Sequence, residues 1–524
     1  MKLNYKRTIL VGFAFFLICA FWQAYDNTVP LILTNKFGMS QTWSGVIMAL
    51  DNVLALFMLP LFGHLSDKCT NPKGRRTPFI VIGTLVAACA LVALSFVDNA
   101  QLRHLRDVSA IDDPAALSVI YERQKDATLL SPGGESFILG QKFTEEEFTA
   151  IRSQTATEDG EAVTDPAYIN YVVPARQACA EAVTRAHPAT VILFVALLLI
   201  ILLSMATFRS PAVALMPDVT PKPLRSKANA VINLMGSAGG IIVLALGMLF
   251  ATASVQNSLM SYTGYFGVIA ALMLAALVVF MLTVQEPRWA KEMQEQSVAA
   301  GLEDAEEAAH PTESRKLSAD EVKSLLLILL SIVLWFFGYN AVTSKYSVYA
   351  SNILHKDYNL TLIIAQAAAI VAYLPVGFVA GRIGRKKTIL AGVVMLTVAF
   401  GVAGFLTADS PSALMNAMFA LAGIAWATIN VNSFPMVVEL ASGGDVGKYT
   451  GFYYTASMAA QVATPMVSGL LMDKFGMHVL FPYAAAFTGL AFVTMLFVKH
   501  GDSRDIPAEK AGDTDMTVEE LTND

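Results

Sequence analysis

Charge is scarce in this chain: Lys, Arg, Asp and Glu together make only 15% of 524 residues, too little for an ordinary soluble domain of that length. Cysteine is scarcer still, with four residues in all. Cys19 and Cys89 fall in apolar runs, Cys69 in a basic loop and Cys179 in a polar segment. No pair of them shares one oxidising compartment, so free thiols are expected and a disulfide framework is not. No P-loop, ATP-binding cassette signature or catalytic triad pattern is present. The chain is therefore expected to be no enzyme and to need no cofactor, metal or nucleic-acid partner; energy for its work has to come from a gradient. The N-terminal MKLNYKR precedes an apolar run that continues past signal-peptide length without a small-residue cleavage site. Trp22, Tyr25 and Asp26 are unlike a signal core, so the run is expected to be a retained helix.

What is abundant is apolar residue, 55% of the chain with a mean hydropathy of +0.54, and it arrives in long runs. Windows of about 20 residues, matched to a ~30 Å hydrocarbon core, give twelve spans. They are 8–32, 43–65, 78–97, 189–209, 228–252, 262–284, 324–349, 360–381, 387–407, 412–434, 450–472 and 478–498. Only helices suit them, because a lone strand in lipid leaves its backbone polar groups unpaired. The expected fold class is an all-α polytopic membrane protein of two pseudo-symmetric six-helix halves. Lys2, Lys6, Arg7, the basic cluster at 68–76, Lys222, Arg225, Lys227, Arg288, Lys291, the RKK at 385–387 and Lys448 fall on one face of such a protein. The opposite short loops carry few basic residues, Lys36, Lys356 and Lys474 among them. Positive charge marks the cytoplasmic side, so a multi-pass protein of the cell membrane with both termini in the cytoplasm is expected, as a monomer in the bilayer.

The segments follow in order. Helices 1–3 occupy 1–97, an extracellular insert 98–187, helices 4–6 188–285, a cytoplasmic linker 286–323, helices 7–12 324–498 and an acidic cytoplasmic tail 499–524. The insert holds 15 acidic and 8 basic residues and includes the helix-like stretches ALSVIYERQ and TEEEFTAIRSQ; it is either an idle surface cap or a lid. An internal repeat relates the halves: AYDNTV at 24–29 matches GYNAVT at 338–343. Tyr25 to Gly63 and Tyr339 to Gly377 are both 38 residues, and each glycine opens a basic loop.

The first of those loops, GHLSDKCTNPKGRRTPF at 63–79, resembles the loop between helices 2 and 3 of the major facilitator superfamily, in the form found in sucrose/proton symporters and the related glycoside-pentoside-hexuronide cation symporters. SPAVALMPDVT…RSKANA at 210–230 and YTGFYYTASMAAQ at 449–461 are similar to segments after helix 4 and in helix 11 of the same group. The resemblance implies the major facilitator fold and inward movement of a glycoside with a proton, and it supports Asp67, Arg75, Arg76, Asp218 and Gln461 as functional. Three departures matter. Where plant sucrose carriers have a helix-4 arginine this chain has Val213, with Arg209 one turn away; the family's helix-11 Asn is Tyr454; and Ala55 and Leu59 replace the paired aspartates of sodium-coupled melibiose-type relatives. A proton is the better expectation than sodium.

Charged and strongly polar groups inside spans are costly, which makes them the functional candidates. Asp51 lies eight residues past Trp43, ~12 Å into the core, where a carboxyl can alternate between protonated and ionised forms as water reaches it from either side. A structural carboxylate tied to Asn52 is the rival reading. Asp26 lies further out on span 1 and joins Asp51 as a proton-coupling candidate. Trp22 and Asp26 share a helix face, as do Trp335 and Tyr339, and Trp426 and Asn430. With Tyr25, Asn340, Asn233 and Gln461 they make the mixture of aromatic faces and amides that binds sugars, although an interfacial aromatic belt and helix-joining amides explain the same residues. Lys345 is expected to snorkel to the interface, or less readily to pair with Asp26. Asp67, Arg75, Arg76 and Asp218 in one half, and Arg382, Arg385 and Glu439 in the other, make a candidate cytoplasmic gate of ion pairs. Three functions fit: a secondary active transporter taking up a sugar or glycoside with protons, a proton-coupled exporter or exchanger of a drug-like or organic-ion solute, and a non-transporting sensor working through the insert.

Overall fold

The computed structural model describes residues 3–156, 162–221, 225–299, 317–438, 440 and 446–501. The first half contains α1 (Tyr5–Asn35), α2 (Gln41–Asp67), α3 (Thr77–His104), α8 (Pro188–Asp218), α9 (Arg225–Leu249) and α10 (Thr263–Thr283). Between α3 and α8 the insert folds as α4 (Pro114–Gln124), β1 (Thr128–Leu130), β2 (Ser136–Ile138), α5 (Leu139–Lys142), α6 (Glu145–Ala150), β3 (Gln154–Ala156), β4 (Ala162–Thr164) and α7 (Val173–Ala186). A linker helix, α11 (Glu286–Ala299), precedes the second half: α12 (Ala319–Tyr349), α13 (Tyr358–Ile383), α14 (Arg385–Ala403), α15 (Ser412–Val438), α16 (Val446–Phe475) and α17 (Leu480–Leu496). Among the described residues ten helices are long and apolar enough to cross a membrane, and α13 and α16 fill the remaining two of the twelve expected places.

Local chemistry sets the helix ends. Ser40 caps α2 by accepting from the Trp43 amide, and Ser318 with Glu321 forms a reciprocal capping box at the start of α12. The chain turns from α13 into α14 at Gly384, whose φ of 92° suits a residue without a Cβ. In the insert only Glu145–Ala150 of the helix-like TEEEFTAIRSQ is helical, closed by a Thr144–Glu147 capping box; the chain then becomes extended and pairs β3 with β4.

Packing is two-fold. In the first half α1 packs on α9 and α10, and α3 on α8 and α10; in the second α12 packs on α16 and α17, and α14 on α15 and α17. The halves meet through α1 with α12, α2 with α16 and α9 with α13. Since each span of one half corresponds to the span six places on, α2 against α16 and α9 against α13 are the same contact exchanged by a two-fold axis between halves. Each half keeps its own apolar core, and the insert has a third built on Leu117, Ile120, Phe137, Phe148, Tyr168 and Val172. Phe57, Leu249, Leu282, Val371 and Phe405 stand exposed around the outside, as a surface solvated by lipid tails requires.

One end of the molecule carries the insert and the other the basic loops. At the insert end α3 runs on to His104 rather than stopping at 97, because Asp98 on it is fully buried against Lys36. The Lys36 ammonium lies 2.7 and 2.6 Å from the two carboxylate oxygens, donates to the Met260 carbonyl at 2.6 Å, and sits 4.6 Å over the Tyr262 ring. Lys36 is thus a core residue and not a loop lysine. Cutting Asp98 back to Ala strands that ammonium and is expected to cost about 3–5 kcal/mol, read as a fall in the thermal unfolding midpoint in detergent, whereas Lys36→Met with Asp98→Leu loses far less. Equal losses in single and double variants would show that the two charges are not coupled.

Candidate functional site

Along α1 the residues Cys19, Trp22, Gln23 and Asp26 recur at three- and four-residue intervals, so they share one face, and that face looks between the halves. They line a cavity of about 490 Å³, within the ~300–1,000 Å³ of small-molecule pockets. Arg209 of α8, Gly236 and Gly240 of α9, Tyr339 and Thr343 of α12, Gln366 and Tyr373 of α13 and Trp426 of α15 complete the wall.

Both charge signs meet here. The Arg209 guanidinium stands 5.7 Å over the Trp22 ring, and Asp51 and Arg209 both act electrostatically on Asp26. Asp51 itself is off the cavity wall, on α2, where it accepts a hydrogen bond from Asn52 at 2.7 Å. Tyr339 and Trp426 stack almost parallel with centroids 3.6 Å apart, and Phe336 meets Trp426 edge-on. Gln366 donates to the Gln23 side chain, joining the halves across the cavity. The Trp22 indole nitrogen, the Tyr25 hydroxyl and the Asn340 amide nitrogen are buried without a hydrogen-bond partner among the described residues.

The sequence candidates are therefore divided. Trp22, Asp26, Tyr339 and Trp426 face the cavity. Tyr25 lies behind it, stacked on Phe21. Trp335, one turn from Tyr339, is fully buried in the core of the second half, so of these two only the residue nearer the insert end reaches the cavity. Asn340 is half-buried off the wall, and Asn233 is exposed on α9. Asn430 hydrogen-bonds the Tyr373 side chain, and Gln461 donates to the Ser457 carbonyl of its own helix at 3.3 Å. Arg209, Gln23, Gln366 and Tyr373 were not among the candidates for the site. Of these only Arg209 carried a signal, as an arginine one turn from the helix-4 place; Val213, at that place, is exposed on α8 and does not line the cavity.

At the insert end the two halves are joined. Asp473 of α16 accepts from the Gln41 and Thr42 amides at 2.8 Å each and from the Thr42 hydroxyl at 2.5 Å, capping the first turn of α2 from the opposite half. The expectation for Lys345 is corrected here. Its ammonium does not snorkel; it is fully buried and donates to the Gln41 carbonyl at 2.6 Å, with Asp473 the acid acting on it and not Asp26. The close packing of α2 on α16 covers it. Thr252, beyond α9, bonds the Tyr358 hydroxyl at 2.8 Å and accepts from Asn359 at 3.3 Å, a second bridge between halves.

At the basic end Arg75 and Arg76 both reach Asp218, at 2.6 and 2.8 Å, and Arg76 also pairs with Asp67 at 2.5 Å. Burial works against the charge of Arg76, but Asp218 and Asp67 outweigh it and hold its pKa above the ordinary value. Glu286, buried at the start of α11, accepts from the Arg76 and Thr77 amides at 2.8 Å and the Thr77 hydroxyl at 2.7 Å, capping α3. In the second half Arg385 opens α14 half-buried and engaged; Glu439 and the Arg382 side chain lie outside the described residues.

Comparison with known proteins places this geometry. A family model described as Major Facilitator Superfamily matches residues 6–105, 178–371 and 347–519, passing over most of the insert. A sucrose transport protein of Arabidopsis thaliana is 37% identical over 59 residues, 11% of this chain, and the match spans only 12% of that relative's length. The inward open conformation of the xylose transporter XylE from E. coli superposes with a TM-score of 0.59 at 15% identity, over 97% of this chain and 99% of that one. A peptide transporter in complex with alafosfalin does so with 0.57 at 12%, over 94% and 93%. Likenesses at such identity carry the fold and not the solute.

Glu286→Ala removes the acceptor of two amides and a hydroxyl at the start of α3, and is expected to cost about 2 kcal/mol of stability. A lowered unfolding midpoint that Glu286→Gln partly restores checks the cap; no change in either variant would show that α3 does not depend on it.

Proposed function

Because the chain belongs to the Major Facilitator Superfamily, we propose that it is a secondary active transporter, working by rocking of its two six-helix halves and taking up a sugar or glycoside together with a proton. The observation that carries this reading is the cavity between the halves, where Asp26 and Arg209 share a wall with Trp22 and the Tyr339–Trp426 stack. Sites between the two repeat-related halves near the bilayer midplane are where such carriers hold their solute. Aromatic faces suit the C–H patches of a sugar ring, while Gln23, Gln366 and the unpaired Trp22 indole N–H offer partners to hydroxyls. The sucrose transport relative supports the same class of solute through its short match.

A proton has a role in this arrangement. With both acids ionised, Asp26, Asp51 and Arg209 carry one net negative charge in a setting that penalises it. One proton on either carboxylate neutralises the cluster and leaves the charge of Arg209 balancing the other. The loaded carrier then crosses between its two openings without moving an uncompensated charge through a dry interior. By the positive-inside rule the basic end faces the cytoplasm and the insert the exterior, with both termini cytoplasmic in the cell membrane. The Arg75, Arg76, Asp67 and Asp218 cluster would then be the cytoplasmic gate, and a monomer suffices, since each half supplies one wall of the cavity.

The test is uptake by purified protein in liposomes, with labelled mono- and disaccharides and with or without an inward proton gradient. Accumulation of one sugar is expected only with the gradient. Asp26→Asn and Asp51→Asn should each reveal whether their carboxyl is the carrier of the proton: the essential one abolishes accumulation yet leaves exchange down a sugar gradient. Trp22→Ala should raise the half-saturating concentration roughly ten-fold. A panel in which no sugar moves under any gradient would sink the sugar reading.

A further inference from the structure

We propose that the insert is a strap that latches the halves together at the insert end, and that it has to lift from the second half before the cavity opens to that side. This rests on the alternating-access reading above. The insert is rooted in the first half. It leaves α3 and enters α8 at His104 and His187, whose rings stack 4.2 Å apart, and Gln177 on α7 donates to Asn35 at the end of α1. Its own apolar core, which takes in Val255 from the turn after α9, makes it a rigid body and not a loose loop.

The insert reaches the second half in three places. The turn between β1 and β2 lies against the turn between α16 and α17, where the Met477 amide donates to the Pro132 carbonyl at 2.7 Å. The contact is backbone on backbone: a Cβ at Gly134 would stand 2.9 Å from the Phe475 carbonyl, and one at Gly476 2.6 Å from Gly133. Both glycines also have positive φ, so neither position accepts a side chain. Further along, Ile169, Val173 and Arg176 share a small cavity of about 30 Å³ with Ser351 and Asn352, beyond α12. Third, Asp165 acts electrostatically on His355, which opens the approach to α13.

The position of the first contact gives it leverage. Gly476 and Met477 directly follow the end of α16, whose Asp473 caps α2, so strap and gate act on the same helix end. Moving α16 away from α2 carries the Met477 amide away from an insert that stays with the first half. Opening at this end therefore breaks the Pro132–Met477 bond along with the Asp473 cap.

The test reads access to the cavity and does not need a solute. In full-length protein with Cys69, Cys89 and Cys179 replaced, Cys19 on the cavity wall is the sole thiol, and its alkylation by a membrane-impermeant maleimide is followed in vesicles whose insert side faces the reagent. Gly134→Val disrupts the strap, and Met477→Pro removes the donor from its dock at the first residue of a short turn, where proline is tolerated. Each is expected to speed alkylation by about two- to ten-fold, the range that one net hydrogen bond allows. In the unsubstituted protein, hydrogen exchange at the Met477 amide should rise under the same conditions that raise Cys19 reactivity. Unchanged alkylation in variants that keep their unfolding midpoint, or exchange at Met477 that does not follow Cys19, would overturn the strap. Faster alkylation in a protein that moves no sugar under any gradient would uphold the strap and reject the sugar reading.

Discussion

A charge inside hydrocarbon has to be paired, or has to face water, and this constraint organises the molecule. Lys36 meets both oxygens of Asp98 and a backbone carbonyl, so its donors are used and the pair only ties helices together. Lys345 and Asp473 use the first turn of α2 in the same way, one through the Gln41 carbonyl and the other through two amides. Asp26 and Arg209 are different. They border a cavity, and the half-buried Arg209 stands over the Trp22 ring, whereas the fully buried Lys36 and Lys345 donate to oxygen. Charges that are fully engaged hold structure, while charges kept on a cavity wall are available to a solute or a proton. The difference between the clusters lies in their partners and not in their depth.

The same constraint explains how much was legible beforehand. Twelve apolar runs, the repeat from Tyr25 to Gly63 and from Tyr339 to Gly377, and the basic loop ahead of Phe79 describe a two-fold helical bundle in membrane, because apolar length and glycine spacing are local properties. Partners are not local. Asp473 meets Gln41 and Thr42 across 432 and 431 residues, and Glu286 meets Arg76 across 210, separations at which helical periodicity says nothing. Periodicity also names a face without naming its neighbour: Trp335 and Tyr339 share one, yet Trp335 is enclosed by its own half and Tyr339 stacks at the cavity. For Lys345 the usual behaviour of lysine near a helix end pointed to the interface, and only the packing of α2 on α16 supplies a buried carbonyl for it.

The insert, and not the two-fold axis, makes the gates at the two ends unequal in kind. Exchange of the halves maps the α2–α16 contact onto α9–α13, so the bundle by itself offers paired contacts near the insert end: Asp473 on α2, and Thr252 with Tyr358 and Asn359. Nothing in that symmetry provides for the insert, which interrupts the first half alone. Whatever it adds to closure is therefore added at one end only, and without a counterpart in the second half.

A one-sided latch has a definite consequence for a carrier. It lowers the population of the form open at the insert end by the same factor whether or not solute is bound, since its contacts lie away from the cavity wall. Apparent affinity from that side falls by the fraction of molecules that are open, whereas affinity from the basic end gains only by the population that the latch returns to the other form. The ratio to which a solute accumulates is set by the gradient that drives it, and a latch cannot change that ratio without breaking thermodynamic balance. A strap of this sort instead trades capture of dilute solute at the insert end against leakage through a carrier that opens too readily.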